Sequence, residues 1–156
     1  MTTHHYKESG LDNVYLENGY EAIETPYGTG MAIKDTEGLH KVIGLWLVAQ
    51  PIPLNGAELR FLRMEIELTQ RDLAGILGAK EQTLRIWERG RGKPIPGPAD
   101  RLLRAIYSEF VTGDGSVRHL VDRLAHLDQR ARSSARLRET PNGWQVEART
   151  SRHRAP

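Results

Sequence analysis

Glu81, Gln82, Arg85 and Arg89 stand within nine residues of one another, with Thr83, Leu84 and Trp87 set between them. On a helix turning about 100° per residue, the four polar side chains gather on one side, and Thr83, Leu84 and Trp87 take the other. Such a face carries the groups that read base edges in a DNA major groove. A glutamine amide pairs with adenine, a guanidinium with guanine O6 and N7, and a carboxylate accepts from cytosine N4. Ile86 borders the face, where an apolar group can touch a thymine methyl. Glu81, Gln82, Arg85 and Ile86 are therefore the expected base contacts. Phosphate oxygens call for donors and cations. Thr69 and Gln70 upstream, and Arg89, Arg91 and Lys93 downstream, are the expected phosphate contacts. Glu88 would be repelled by phosphates, and is expected to pair with Arg60 or Arg63.

Other chemistries find no support in the residues. The chain has no cysteine, which removes thiol nucleophiles, thiolate metal sites and disulfides. It has no phosphate loop, no Gly-x-Ser-x-Gly turn and no His-Glu-x-x-His. Glu65 and Glu67 lie two apart, on different faces of a helix, and do not form an acid and base pair. His119, Asp122 and His126 can share a helical face, an arrangement that commonly just faces solvent. No catalytic residue, no metal site and no cofactor is expected, and the chain does not read as an enzyme.

Two short helices joined by a glycine turn would hold the polar face in position. Thr69 is placed to cap the first, with Asp72 three residues on, and Leu73, Ala74 and Leu77 face inward. Gly78 ends it, and residues 81–89 form the second, which stops at Gly90. Close crossing requires a small residue at Ala74, the tight turn favours Gly78, and Leu84 and Trp87 anchor the second helix from behind. A preceding helix spans 57–67, with Leu59, Leu62 and Ile66 on one side. A following one starts at Pro98 and carries Leu102, Leu103, Ile106, Tyr107 and Phe110.

The flanks read differently. Residues 14–17 and 20–25 are β-prone and bracket Asn18-Gly19, the pair that suits a two-residue hairpin turn, and residues 28–34 offer a third strand. Leu39, Val42, Ile43, Trp46 and Leu47 then follow a helical period, with Asp35 or Thr36 as cap and Pro51 as stop. Residues 51–56 carry the breakers of a linker or sharp corner. After Gly113 and Gly115 a further helix presents Val117, Leu120, Val121, Leu124 and Leu127, a candidate dimer contact. An arginine-rich stretch (Arg130, Arg132, Arg136, Arg138) precedes a small hairpin around Pro141-Asn142-Gly143.

The run Leu68-Thr69-Gln70, Leu73-Ala74, Leu77-Gly78, Thr83-Leu84 and Trp87-Glu88-Arg89-Gly90 resembles the XRE family of helix-turn-helix regulators, which includes Cro and lambda-type repressors. The resemblance covers residues 57–110, and implies a lambda-repressor-like domain binding DNA. Lys80, Glu81 and Ile86 depart from the family's usual serine, glutamine and polar residue, so base preference is not inherited. Residues 8–16, placed ahead of such a domain, resemble the MqsA-type antitoxins. That likeness implies a toxin-binding N-terminal segment, here without the cysteines that hold zinc in that group.

Length and composition agree with a modest globular chain. It has 156 residues, 38% hydrophobic and 27% charged, with a net charge of +2. The charge is uneven: −4 over residues 1–56, +2 over 57–110 and +4 over 111–156. Seven basic against three acidic side chains between Lys80 and Arg104 favour a polyanionic partner. No apolar run is long enough for a membrane span or signal peptide, so a cytoplasmic protein is expected.

The expected architecture is mainly α within an α+β class. A five-helix lambda-repressor-like helix-turn-helix domain is joined to a small N-terminal β-hairpin or sheet plus helix, and to a C-terminal helix. The segments are 1–50, a linker at 51–56, the DNA-binding domain at 57–110, and a C-terminal helix and basic tail at 111–156. The expected function is sequence-specific binding of double-stranded DNA by a homodimeric repressor. The alternative is an antitoxin that neutralises a toxin protein and represses its own operon.

Overall fold

Asp35, Asn55 and Thr69 each precede a helix and each turns its side chain back onto that helix's first free amides, so local capping sets where three of the helices start. In the computed structural model, which describes residues 3–113, residue 119 and residues 135–147, the chain is mixed α+β and about half helical. Among the described residues there are five α-helices and three two-stranded antiparallel sheets.

Strand β1 (His4–His5) pairs with β2 (Tyr15–Leu16), and β3 (Tyr20–Thr25) pairs with β4 (Gly28–Ile33). This corrects the expectation of a hairpin across Asn18-Gly19. Gly19 does take the positive φ of 79° that the turn signal suggests, but it serves a corner between two sheets. Val14 and Leu16 are buried, which turns the second strand inward toward the core, whereas most of the third is exposed. The tight turn is instead at Pro26-Tyr27, where Thr25 pairs with Gly28 and its hydroxyl donates to the Gly28 carbonyl.

Helix α1 (Thr36–Ala49) begins with the Asp35 carboxylate accepting from the Gly38 amide and stops ahead of Pro51. Helix α2 (Gly56–Glu65) opens on a capping box between Asn55 and Glu58. It ends two residues short of the expected Glu67, because Glu67 adopts a left-handed φ of 54°. Helices α3 (Gln70–Leu77), α4 (Glu81–Arg89) and α5 (Gly97–Thr112) follow, with Pro98 in the first turn of the last. Strands β5 (Leu137–Thr140) and β6 (Gly143–Val146) make the hairpin expected around Pro141-Asn142.

One hydrophobic core runs from Tyr6 to Tyr107 and takes in Leu11, Leu47, Leu54, Leu62, Leu84 and Leu103. Residues 51–56 are a clamped corner that enters it at Leu54. Leu54 is fully buried, its amide donates to Asp100, and Arg104 donates to the carbonyls of Val48, Gln50 and Ile52. Gly44 lies against the Tyr107 phenol, where any Cβ would overlap the ring. Among the described residues no helix is long and apolar enough to cross a membrane. The expected helix at 117–127, Asp122 and His126, Arg130 and Arg132, and the tail from Arg149 lie outside the described residues.

Candidate nucleic-acid interface

Thr69 starts the site: its hydroxyl accepts from the Asp72 amide at 3.0 Å and opens α3. Gly78 closes that helix in the left-handed conformation, φ 69°, which L residues adopt at a cost and glycine, with no Cβ, adopts without it. Two residues later Lys80 sits in extended backbone ahead of α4 and gives no side-chain cap. Ala74 and Leu84 are buried where α3 packs on α4, and Trp87 is half-buried behind the second helix. The anchors expected from the sequence are thus brought together.

Gly56, read from the sequence only as a breaker, has a packing role there. Its α-carbon lies so near the Trp87 carbonyl that a Cβ would collide with it. The signal for that role is absent locally, since the contact joins residues far apart in the chain.

Gln82, Arg85, Ile86 and Arg89 are exposed on the outer side of α4, and Glu81 is partly so. Arg85 Nη2 donates to Glu81 Oε1 at 2.6 Å, and its Nε donates to Gln70 Oε1 at 3.3 Å. Gln70 Nε2 in turn donates to Glu88 Oε2 at 2.6 Å. Glu88 is buried and receives two bonds from Arg63, Nε at 2.6 Å and Nη2 at 3.3 Å. Of the two partners expected for Glu88, Arg63 takes the role and Arg60 stays exposed. Arg63 also donates to the Leu68 carbonyl, which fixes the entry to α3.

The expected phosphate contacts are distributed around this face. Thr69 is exposed at the start of α3, and Arg89 and Lys93 are exposed at and beyond the end of α4. Gln70 is partly buried, with its amide engaged on both sides as above. Arg91 donates to the Gly10 carbonyl at 2.7 Å and reaches Asp12 at 3.5 Å, so the N-terminal loop holds its guanidinium. Sequence reasoning missed that tie, which spans about half the chain. Later in the chain, Arg138 pairs with Glu147 on the last hairpin, and Trp144 there is exposed. Compared with known protein families, with curated proteins and with solved structures, the chain has no match.

Proposed function

We propose that this protein is a sequence-specific, double-stranded-DNA-binding regulator, a homodimeric repressor in which α3 and α4 form a lambda-repressor-like helix-turn-helix of the XRE kind. One observation carries the reading: α4 buries Leu84 and Glu88 and turns outward Gln82, Arg85, Ile86 and Arg89, a set suited to base edges and phosphates. Any surface helix turns a polar face outward. What favours DNA here is that this face joins a glutamine amide and a guanidinium to exposed cations at and beyond its end, Arg89, Arg91 and Lys93.

In this reading α4 lies in the major groove. Gln82 and Arg85 meet bases and Ile86 meets a thymine methyl. Thr69, Arg89, Lys93 and the remaining N–H groups of Arg91 fix the register on phosphates. Two copies set about 34 Å apart, one DNA turn, would read a palindrome and repress by occupying it. Affinity falls with salt in proportion to the phosphates neutralised.

The test is selection of random duplex DNA on the purified full chain, followed by fluorescence anisotropy of the enriched duplex at two salt concentrations. A palindromic motif bound far more tightly than random DNA is the expected result. Binding without any motif, or none at all, would overturn the reading.

A further inference from the structure

We propose that Arg85 reads guanine through the end of its guanidinium, and that Glu81 acts through Arg85 as a positioning residue, with no base contact of its own. The inference rests on the DNA-binding reading above and deepens it. A guanidinium presents two donor edges: a side edge made by Nε and Nη2, and an end edge made by Nη1 and the second hydrogen of Nη2. In the structure both nitrogens of the side edge are engaged, Nε by Gln70 and Nη2 by Glu81. Nη1 has no partner among the described residues, and Nη2 keeps a second hydrogen besides the one given to Glu81. Two parallel donors facing outward match guanine, which shows two adjacent acceptors, O6 and N7. Adenine offers one acceptor and one donor, thymine one acceptor, and cytosine a donor.

Burial makes this orientation more than an exposed surface pair. An isolated ion pair between consecutive helical turns is weak and easily broken. Here Gln70, which holds Nε, is itself held by Glu88, and Glu88 by Arg63. Side-chain exposure falls along the series from 49% at Arg85 to 6% at Glu88 and 10% at Arg63, so the relay begins in the core. A side chain already set in its bound geometry loses less freedom on binding. Glu81 also gains a purpose that suits its charge. Unpaired, its carboxylate would repel nearby phosphates; bonded to Arg85, it is neutralised.

The experiment compares the wild-type full chain with Arg85→Ala and Glu81→Gln on the selected duplex, on single-base variants of it and on random DNA. Circular dichroism and thermal melting verify that both surface variants fold. Arg85→Ala should lower the preference for one guanine by about ten- to a hundredfold. Glu81→Gln should relax the preference at that same base pair by about two- to tenfold, and leave binding to random DNA equal or tighter. Replacing that guanine by 7-deazaguanine, which lacks the N7 acceptor, should weaken the wild type and not Arg85→Ala.

Relaxation by Glu81→Gln at a different base pair would make Glu81 an independent reader and overturn the proposal. Equal losses on selected and random DNA for Arg85→Ala would make Arg85 a phosphate contact, and overturn it too. A wild-type chain that enriches no sequence sinks the DNA reading itself, an outcome distinct from either.

Discussion

Tyr6 and His40, 34 residues apart in the chain, meet with the phenol oxygen 2.7 Å from Nε2 of the imidazole. The other ring nitrogen, Nδ1, lies 2.8 Å from Glu65 Oε1, and Phe61 packs edge-on against the ring. An ionised carboxylate only accepts, so in the neutral ring Nδ1 carries the hydrogen and the Tyr6 hydroxyl donates to Nε2. The relay fastens the N-terminal segment to α1, and α1 to α2. Tyr6→Phe removes the donor and leaves a part-buried nitrogen unpaired, which should lower stability by about 1 kcal/mol. Urea unfolding should show a lower midpoint at unchanged slope. An unchanged midpoint would mean that the relay adds nothing to the fold.

The buried pair beneath α4 gives a larger effect. Glu88→Gln leaves the Arg63 charge in the core without its counter-ion and takes a carboxylate oxygen from Gln70, at an expected loss of about 3 kcal/mol. Replacing both partners, Arg63→Met with Glu88→Leu, should recover most of that loss, because no uncompensated charge remains. Chemical denaturation of the two variants checks this. A double variant as unstable as the single one would show that the pair is needed for its geometry and not only for its charge balance.

Local signals were enough for much of the site. Thr69 caps α3, Gly78 ends it, and α4 runs over Glu81–Arg89, as periodicity and breakers indicate, because capping and helical period act within a few residues. Where a residue's partner is remote, the pattern says nothing of it. Asn18-Gly19 signals a turn correctly, but which strands pair depends on Val14 and Leu16 entering the core. Gln70 reads as a free donor until α4 brings Arg85 and Glu88, 15 and 18 residues on, to its two ends. Arg104 closes the corner at 48–54 through carbonyls more than 50 residues away, and Arg91 binds a carbonyl 81 residues back.

Asp100 gives the fold an acid-sensitive joint. Burial alone pushes its carboxyl up, but hydrogen bonds from Arg104 and the Leu54 amide outweigh that and hold it below the usual carboxylate range. A group with a depressed folded value adds stability above its unfolded value, near 3.9, and loses it as pH falls through the folded one. Asp100→Asn should therefore be less stable than wild type at pH 7, with the gap shrinking below about pH 4. Thermal unfolding from pH 7 to pH 2 measures it. A gap that stays constant into strong acid would place the effect in shape, not charge.

Lys80 occupies the cap position of α4 and leaves the first-turn amides there without a side-chain acceptor. Serine at that position accepts from such an amide, and removes a cation from the positive end of the helix dipole. Lys80→Ser should raise stability by about 1 kcal/mol. On the proposed interface the exposed lysine also stands beside Glu81, where it would meet a phosphate. The same substitution should then weaken selected and random DNA alike, and make the slope of log affinity against log salt shallower by about 0.9. Melting and salt-titrated anisotropy on one preparation separate the two effects. A stability gain with an unchanged salt slope would remove Lys80 from the phosphate contacts, and a loss of stability would show that its stem already packs in the turn.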